Sequence, residues 1–255
     1  MQSPSVSILT ITQLSRFESM KILFEIIKKQ TYQNIKEWVI VEGSQQIENG
    51  IENKKRLAHF FTKNRLYFPI NYIDYSGKKL GGLRNIGNDN CSGDIIICFD
   101  DDDYSPPQRI SHSVEKLIKT DCLIGGVSSI MLYDFHFNKL FKFIYSIPNH
   151  STNNCMAYKK EYLEDNRYSD ECSCGEEKEF TKNFSNNMIA FDSIHTLIAI
   201  SHNSNTYDKH NLCADSLSKK ICYMKKLNKS ILNYIPFDIF ENMKVIYGLE
   251  CSLLE

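Results

Sequence analysis

The pattern of hydrophobic and polar positions divides this chain near Thr120. Before that point short β-branched runs alternate with helical periods. Residues 5–12 (Ser-Val-Ser-Ile-Leu-Thr-Ile-Thr) predict a first strand. Residues 15–30 then place Phe17, Met20, Leu23, Phe24, Ile26 and Ile27 on a helical period. The alternation continues with a strand over 37–41, a helix over 52–64 and a strand over 70–74. A glycine-containing turn and helix follow over 80–91, then a strand over 94–99. Pro106 and Pro107 suit a helix start, and residues 111–119 continue that helix. Strands alternating with helices predict βαβ units and a mostly parallel sheet.

After Thr120 the period changes. Residues 123–133 and 140–146 read as strands joined by a short connection, so antiparallel pairing is expected. A short helix is expected over 175–184 and another β-rich run over 194–200. Residues 217–248 are lysine-rich and apolar by turns, with Pro236 interrupting them, and predict helix, loop, helix. The apolar face of that tail either closes the core or forms a homodimer contact; a membrane-surface helix is a weaker alternative. The chain shows no internal repeat and no long linker.

Composition narrows the class. With 42% hydrophobic residues, a 255-residue chain has ample material for a core. A formal net charge of −1 gives no basic field for nucleic acid or anionic membrane. No apolar run approaches the roughly 20 residues a membrane span requires. The first five residues lack the pattern of a secretory signal. The nine cysteines are odd in number and scattered, which predicts a reducing, cytoplasmic setting. Cys91, Cys98, Cys122 and Cys155 read as small buried hydrophobes. Cys172 and Cys174 form the one close pair, without the spacing of a zinc site.

The chemistry concentrates in three runs. The apolar stretch 95–98 ends in Phe99-Asp100-Asp101-Asp102-Asp103. Four carboxylates at one strand end repel and resist desolvation. A hard divalent cation such as Mg²⁺ or Mn²⁺ would reverse that balance and leave ligand positions for phosphate oxygens. The carboxyl end of a central strand is also where open α/β sheets bind ligands. The second run, Val41-Glu42-Gly43-Ser44, puts an acid, a glycine and a hydroxyl just after a strand. The third, Gly81-Gly82-Leu83-Arg84-Asn85-Ile86-Gly87, offers close backbone approach, a planar donor fork at Arg84 and an amide at Asn85. It lacks the lysine–hydroxyl ending of a phosphate loop and does not have Rossmann spacing.

In this order the three runs resemble the GT-A glycosyltransferases of the family 2-like group. The resemblance covers residues 5–110 well and 148–210 more loosely. It implies an α/β fold, the Rossmann-like nucleotide-diphospho-sugar transferase fold, with a mixed central sheet flanked by helices. It also implies one domain over 1–255: a nucleotide-sugar half (1–120), an acceptor and catalytic half (121–212) and a helical tail (213–255). Carried over by position, Thr10, Glu42 and Ser44 would border the base, and Thr12 is a further matching position in the nucleotide site. Lys79, Arg84 and Asn85 would approach base or phosphates. Asp100 and Asp101 would lie near ribose and metal, with Asp102 the direct ligand. Asp103 is as open to a structural role, capping the next helix. Many relatives carry paired aspartates where this chain has Val41-Glu42.

The second half contains Gly175-Glu176-Glu177, similar to the family's Gly-Glu-Asp stretch. The match assigns Glu177 as the base that takes the acceptor hydroxyl's proton and Glu176 as an acceptor contact, with a one-residue slip left open. His202, in a late motif after a strand, is the expected second metal ligand or phosphate contact, with His210 in reserve. His59, His112, His136 and His195 read as ordinary loop or surface residues. The expected enzyme is thus a Mn²⁺- or Mg²⁺-dependent hexosyltransferase. Its donor would be a UDP-sugar such as UDP-glucose or UDP-galactose. Its acceptor would be a hydroxyl of a glycan, a lipid-linked sugar or a modified protein. Inversion is expected, with retention still open. The rivals are a nucleotidyltransferase, a sugar-nucleotide-binding protein without catalysis, and a calcium-stabilised module.

Overall fold

The computed structural model describes residues 3–144 and 147–248. Four of the strands expected in the first half are present: β1 (Val6–Thr12), β2 (Ile35–Glu42), β3 (Ile70–Asp74) and β4 (Ile95–Cys98). β1 pairs in parallel with β2 on one side and with β4 on the other, and β3 extends the β2 edge. The chain therefore steps outward from β1 to β3 and returns across β1 to place β4. That reversal opens a crevice at the carboxyl ends of β1 and β4, where α/β sheets take ligands.

Both faces of these strands are covered, so their side chains are apolar in both directions. Ile8 and Ile40 face one core with Trp38, whose indole is fully buried. Leu9, Val39 and Val41 face a second core with Leu83 and Ile96. Helix α1 (Phe17–Lys28) adds Met20, Leu23, Phe24 and Ile27 to the first core. That spacing lies on one helical stripe. Each such fully buried side chain contributes about 1.5–3 kcal/mol. Helix α2 (Ile47–Lys63) starts earlier than expected. Helix α3 (Leu80–Asn90) packs on β1 and β2, and α4 (Arg109–Ile118) follows β4.

The second half departs more from expectation. Residues 123–133 are not one strand. They split into β5 (Ile124–Gly126) and β6 (Met131–Asp134), which belong to different sheets. β6 does pair antiparallel with β7 (Lys139–Phe143), as expected; Tyr145 and Ser146, the end of that expected strand, lie outside the described residues. An unexpected strand, β8 (Ala157–Lys159), inserts antiparallel between β4 and β5. With β9 (Met188–Ala190) at the edge, the sheet order is β3-β2-β1-β4-β8-β5-β9. The expected short helix shrinks to α5 (Glu177–Phe180), and the β-rich run to β10 (Ile198–Ser201).

Helix α6 (Lys209–Leu217) was not expected, and the first helix of the predicted tail is instead β11 (Met224–Leu227). β11 pairs antiparallel with β7 and completes a second sheet, β10-β6-β7-β11. Its two exposed lysines hide a strand whose inward residue is Met224. Helix α7 (Phe237–Tyr247) packs on α1 through Ile239, Met243 and Tyr247, so the tail does close the core. Residues 249–255 of the expected tail lie outside the described residues.

Candidate active site

β4 ends at the switch point, and its four aspartates diverge there. Asp101 turns toward β1, accepting a hydrogen bond from Thr12 Oγ1 at 2.8 Å and one from Arg16 Nη1 at 2.9 Å. Asp102 Oδ2 accepts from the same Arg16 nitrogen and from Asn205 Nδ2 at 3.1 Å, and lies 3.3 Å from His202 Nε2. Asp103 does not cap the next helix. Its Oδ1 accepts the Ile200 amide at 2.8 Å and lies 3.3 Å from Lys209 Nζ, and its Oδ2 accepts from Asn154. Asp103 thereby ties β4 to β10 and to the start of β8. Asp100 is partly exposed, 3.7 Å from Arg84 Nη2. One oxygen each from Asp100, Asp102 and Asp103 lies within 4.8 Å of the others. That is a donor set of the type hard cations take.

The charges in this crevice do not cancel. Among the described residues, Asp100, Asp101, Asp102, Asp103 and Glu176 face Arg16, Arg84 and Lys209: five carboxylates against three cations. The deficit shows in the carboxyls. Burial, with only partial relief from Arg84, pushes Asp100 up to about 6. Burial likewise raises Asp101 despite Arg16. Asp102 goes the other way: burial opposes its charge, but Lys209, His202 and Arg16 outweigh it and hold the carboxylate well below the usual range. A divalent cation would supply the missing charge, so the residues present fit one.

Across the crevice, a loop over 168–176 is clasped to α3. Asn85 Nδ2 donates to the Tyr168 carbonyl at 2.9 Å, and Asn85 Oδ1 accepts the Tyr168 amide at 3.0 Å. The Gly81 amide donates to the Cys172 carbonyl at 2.9 Å. A Cβ on Gly81 would come within 1.9 Å of the Ser169 carbonyl oxygen, so only glycine allows this approach. Arg84 Nε binds Glu176 Oε1 at 2.7 Å in a buried pair. Burial opposes the Arg84 charge, but Glu176 and Asp100 raise the guanidinium well above its ordinary value.

Glu177 opens α5, half-buried beside Glu176. Its Oε1 accepts the Asn153 amide at 2.9 Å. Burial, and then the neighbouring Glu176 charge, push its carboxyl above the ordinary range. Such a group holds a proton more readily than an ordinary glutamate, the direction a general base requires. Of the two glutamates, Glu176 is held by Arg84 and Glu177 has no cationic partner among the described ion pairs.

Several expected site residues are placed elsewhere. Thr10 points into the core, where its hydroxyl accepts from the Trp38 indole at 3.0 Å. Glu42 is fully buried, and its oxygens accept from the Ser44 amide and hydroxyl, Asn53 and Tyr72. Ser44 also accepts the Leu14 amide at 3.0 Å. Glu42 and Ser44 thus brace the β2 exit and present no free edge to a base. Lys79 lies at the surface, paired with Glu171 at 2.7 Å. His210 is not near the aspartates; it lies 3.0 Å from Asp134. His202 is buried beside Asp102 and stacked on Tyr247 at 4.0 Å between ring centroids.

The sequence reading missed Arg16, Asn153, Asn154, Asn205, Lys209 and Tyr247. Arg16 reads as the start of a helix, yet it lies in a 3₁₀ turn, Leu14–Arg16, directly after β1. A basic residue four positions past a switch-point strand was the signal available. Asn153, Asn154 and Asn205 lie within segments 149–158 and 200–206, which resemble the family's acceptor-side segment and late His-containing motif, but no role was assigned to them. Lys209 and Tyr247 come from segments with no local pattern to mark them.

Comparisons with known proteins bear on the fold and the family. A search of curated proteins finds no match. Among solved structures, S. aureus TarS (residues 1–349) in complex with UDP-GlcNAc superposes with a TM-score of 0.55 at 15% identity. That match covers 79% of this chain and 60% of TarS 1–349. The mannosyltransferase PcManGT from Pyrobaculum calidifontis, in complex with GDP-Man and Mn²⁺, superposes with a TM-score of 0.58 at 12% identity, covering 81% of this chain and 59% of that one. The chain spans about 60% of the length of these structures, and the likeness is one of fold. The expected GT-A fold is thus present. The family model for glycosyl transferase family 2 matches residues 7–169, which takes in β1, α3 and the acidic end of β4. This chain belongs to glycosyl transferase family 2.

Proposed function

We propose that the protein is a metal-dependent glycosyltransferase that moves a sugar from a nucleoside-diphosphate donor, a UDP-sugar first among candidates, to an acceptor hydroxyl. The observation that carries this reading is the convergence of Asp100, Asp102 and Asp103 at the switch point. Opposite them stands a carboxyl, Glu177, with raised proton affinity and no cationic partner among the described ion pairs. Asp100, Asp102 and Asp103 would hold a Mn²⁺ or Mg²⁺ ion, with His202 adjacent. Such an ion offsets the charge that develops on a departing diphosphate.

The chain's own residues supply the rest. Arg84 holds Glu176 and faces Asp100, so it sets the spacing between the donor side and the acceptor side. The Asn153 amide fixes the Glu177 carboxylate by one oxygen, leaving the other to receive the acceptor hydroxyl's proton. As the hydroxyl oxygen attacks the anomeric carbon, the bond to the phosphate oxygen breaks and the pair leaves with the diphosphate. Attack from the face opposite the leaving group inverts the anomeric centre. Thr12 and Asp101 are the remaining candidates for contact with ribose.

The acceptor is a sugar or protein hydroxyl. No helix among the described residues is long and apolar enough to cross a membrane. The test is release of nucleoside diphosphate from a panel of nucleotide sugars that includes UDP-glucose, UDP-galactose, UDP-GlcNAc and GDP-mannose, with Mn²⁺ and with chelator. Metal-dependent release from one donor is the expected result. Absence of both release and binding across the panel would end the reading.

A further inference from the structure

Among the described residues, Arg16 is the cation whose side chain hydrogen-bonds two of the four strand-end aspartates, while Lys209 reaches Asp102 only through space. Its Nη1 binds Asp101 Oδ1 at 2.9 Å and also Asp102 Oδ2, while Nη2 donates to the Ser204 carbonyl at 3.1 Å. Its side chain is about one-eighth exposed (12%), so the guanidinium is largely shielded but open on one side. Asp102 Oδ2 is crowded: Arg16, Asn205 and His202 all approach it. A cation on the other oxygen of Asp102 would still sit beside the guanidinium, and like charges at that range repel. Arg16 therefore opposes the ion that the rest of the crevice attracts. A nucleoside diphosphate changes this, because its phosphate oxygens match the planar guanidinium fork.

We propose that Arg16 is a built-in competitor for the metal: without nucleotide it neutralises Asp102 and keeps metal binding weak, and the donor's diphosphate draws it away so that metal and donor bind together. This rests on the metal-dependent reading above. Binding linkage then requires that nucleotide tighten metal binding and metal tighten nucleotide binding by the same factor.

The test is Mn²⁺ binding to the full chain, followed by electron paramagnetic resonance of free Mn²⁺, for wild type, Arg16→Gln and Asp102→Asn, each with and without UDP. Without UDP, Arg16→Gln should bind Mn²⁺ roughly tenfold more tightly than wild type, a factor within the usual range for coupled sites. With UDP the advantage should shrink or vanish. A merely structural role for Arg16 predicts weaker or unchanged Mn²⁺ binding in the variant, and either result overturns the proposal. Should Arg16→Gln fail to fold, Arg16→Lys serves. Lysine is shorter and has no counterpart of the Nη2 donation to the Ser204 carbonyl, so its charge is seated less firmly between the two carboxylates, and Mn²⁺ without UDP should bind more tightly than in wild type, by a smaller factor. Mn²⁺ binding that needs Asp102 but is equal in wild type and Arg16 variants would sink this proposal alone. Absence of any Asp102-dependent binding would sink the metal reading and this proposal with it.

Discussion

The two acidic regions of the crevice, residues 100–103 and residues 176–177, are held in opposite ways. The first sits at the end of a strand locked on both sides, and its partners converge from β1, the turn before β8, β10, α6 and the loops between them. The second sits at the start of a four-residue helix, on a loop held by one glycine approach, the asparagines Asn85 and Asn153, and the ion pairs Arg84–Glu176 and Lys79–Glu171. The difference teaches where each kind of chemistry can reside. A metal site needs several fixed donors at once, which a sheet end supplies. A base needs one carboxyl with a raised proton affinity, which a short clasped loop can supply by burial and a like-charged neighbour.

The comparison breaks most visibly at Asp102. Asp102→Asn keeps the shape but removes the charge, and turnover should fall about a thousandfold, the upper range for loss of a key electrostatic group. Metal dependence should disappear with it, as read by diphosphate release against Mn²⁺ concentration. Glu177→Gln should act differently. Donor binding should stay intact while transfer falls at least about a hundredfold, the low end for a general base. Equal loss of donor binding in both variants would erase the division between the two regions.

A finer test is pH. Glu177 must be ionised to accept a proton, and burial with Glu176 nearby raises its carboxyl. It therefore stays protonated to a higher pH than an ordinary glutamate, and the rate should fall as pH drops through that raised value. The acid limb of the rate profile should lie above the ~4.3 of a free glutamate side chain. A limb at or below that value would remove Glu177 from the role. The smallest expected effect is structural. Gly81→Ala forces the Ser169 carbonyl to move. It should destabilise the fold by about 1–3 kcal/mol, the usual range for overpacking, measured by urea unfolding. Mn²⁺ binding should be spared, because Gly81 touches only the second region.

What the sequence made legible follows the same division. The parallel core was readable because β1 and β2 are runs of seven and eight mostly apolar residues bounded by turns, while the four-residue β4 is uniformly apolar and its acidic end is conspicuous in its own right. Arg84 and the Glu176-Glu177 pair were found by their place in motifs, and the structure brings them together. Thr10 and Glu42 were placed by motif position alone, which says nothing about which face of a strand a side chain takes. Thr10 follows Ile8 onto the Trp38 face, and Glu42 meets Asn53 and Tyr72 from neighbouring elements. β8, β9 and β11 are three or four residues long, too short for any period to register. Lys209, Asn205 and Tyr247 reach Asp103, Asp102 and His202 across gaps in sequence that no local rule spans.

Trp38 is the chain's single tryptophan, fully buried in β2 and hydrogen-bonded to Thr10 on the central strand. Its fluorescence therefore comes from one apolar environment, shielded from dissolved quenchers. The signal will shift when the parallel core opens and stay nearly silent when loops over the crevice rearrange. That gives every variant discussed above an internal optical gauge of intact folding, separate from any readout of metal, donor or transfer.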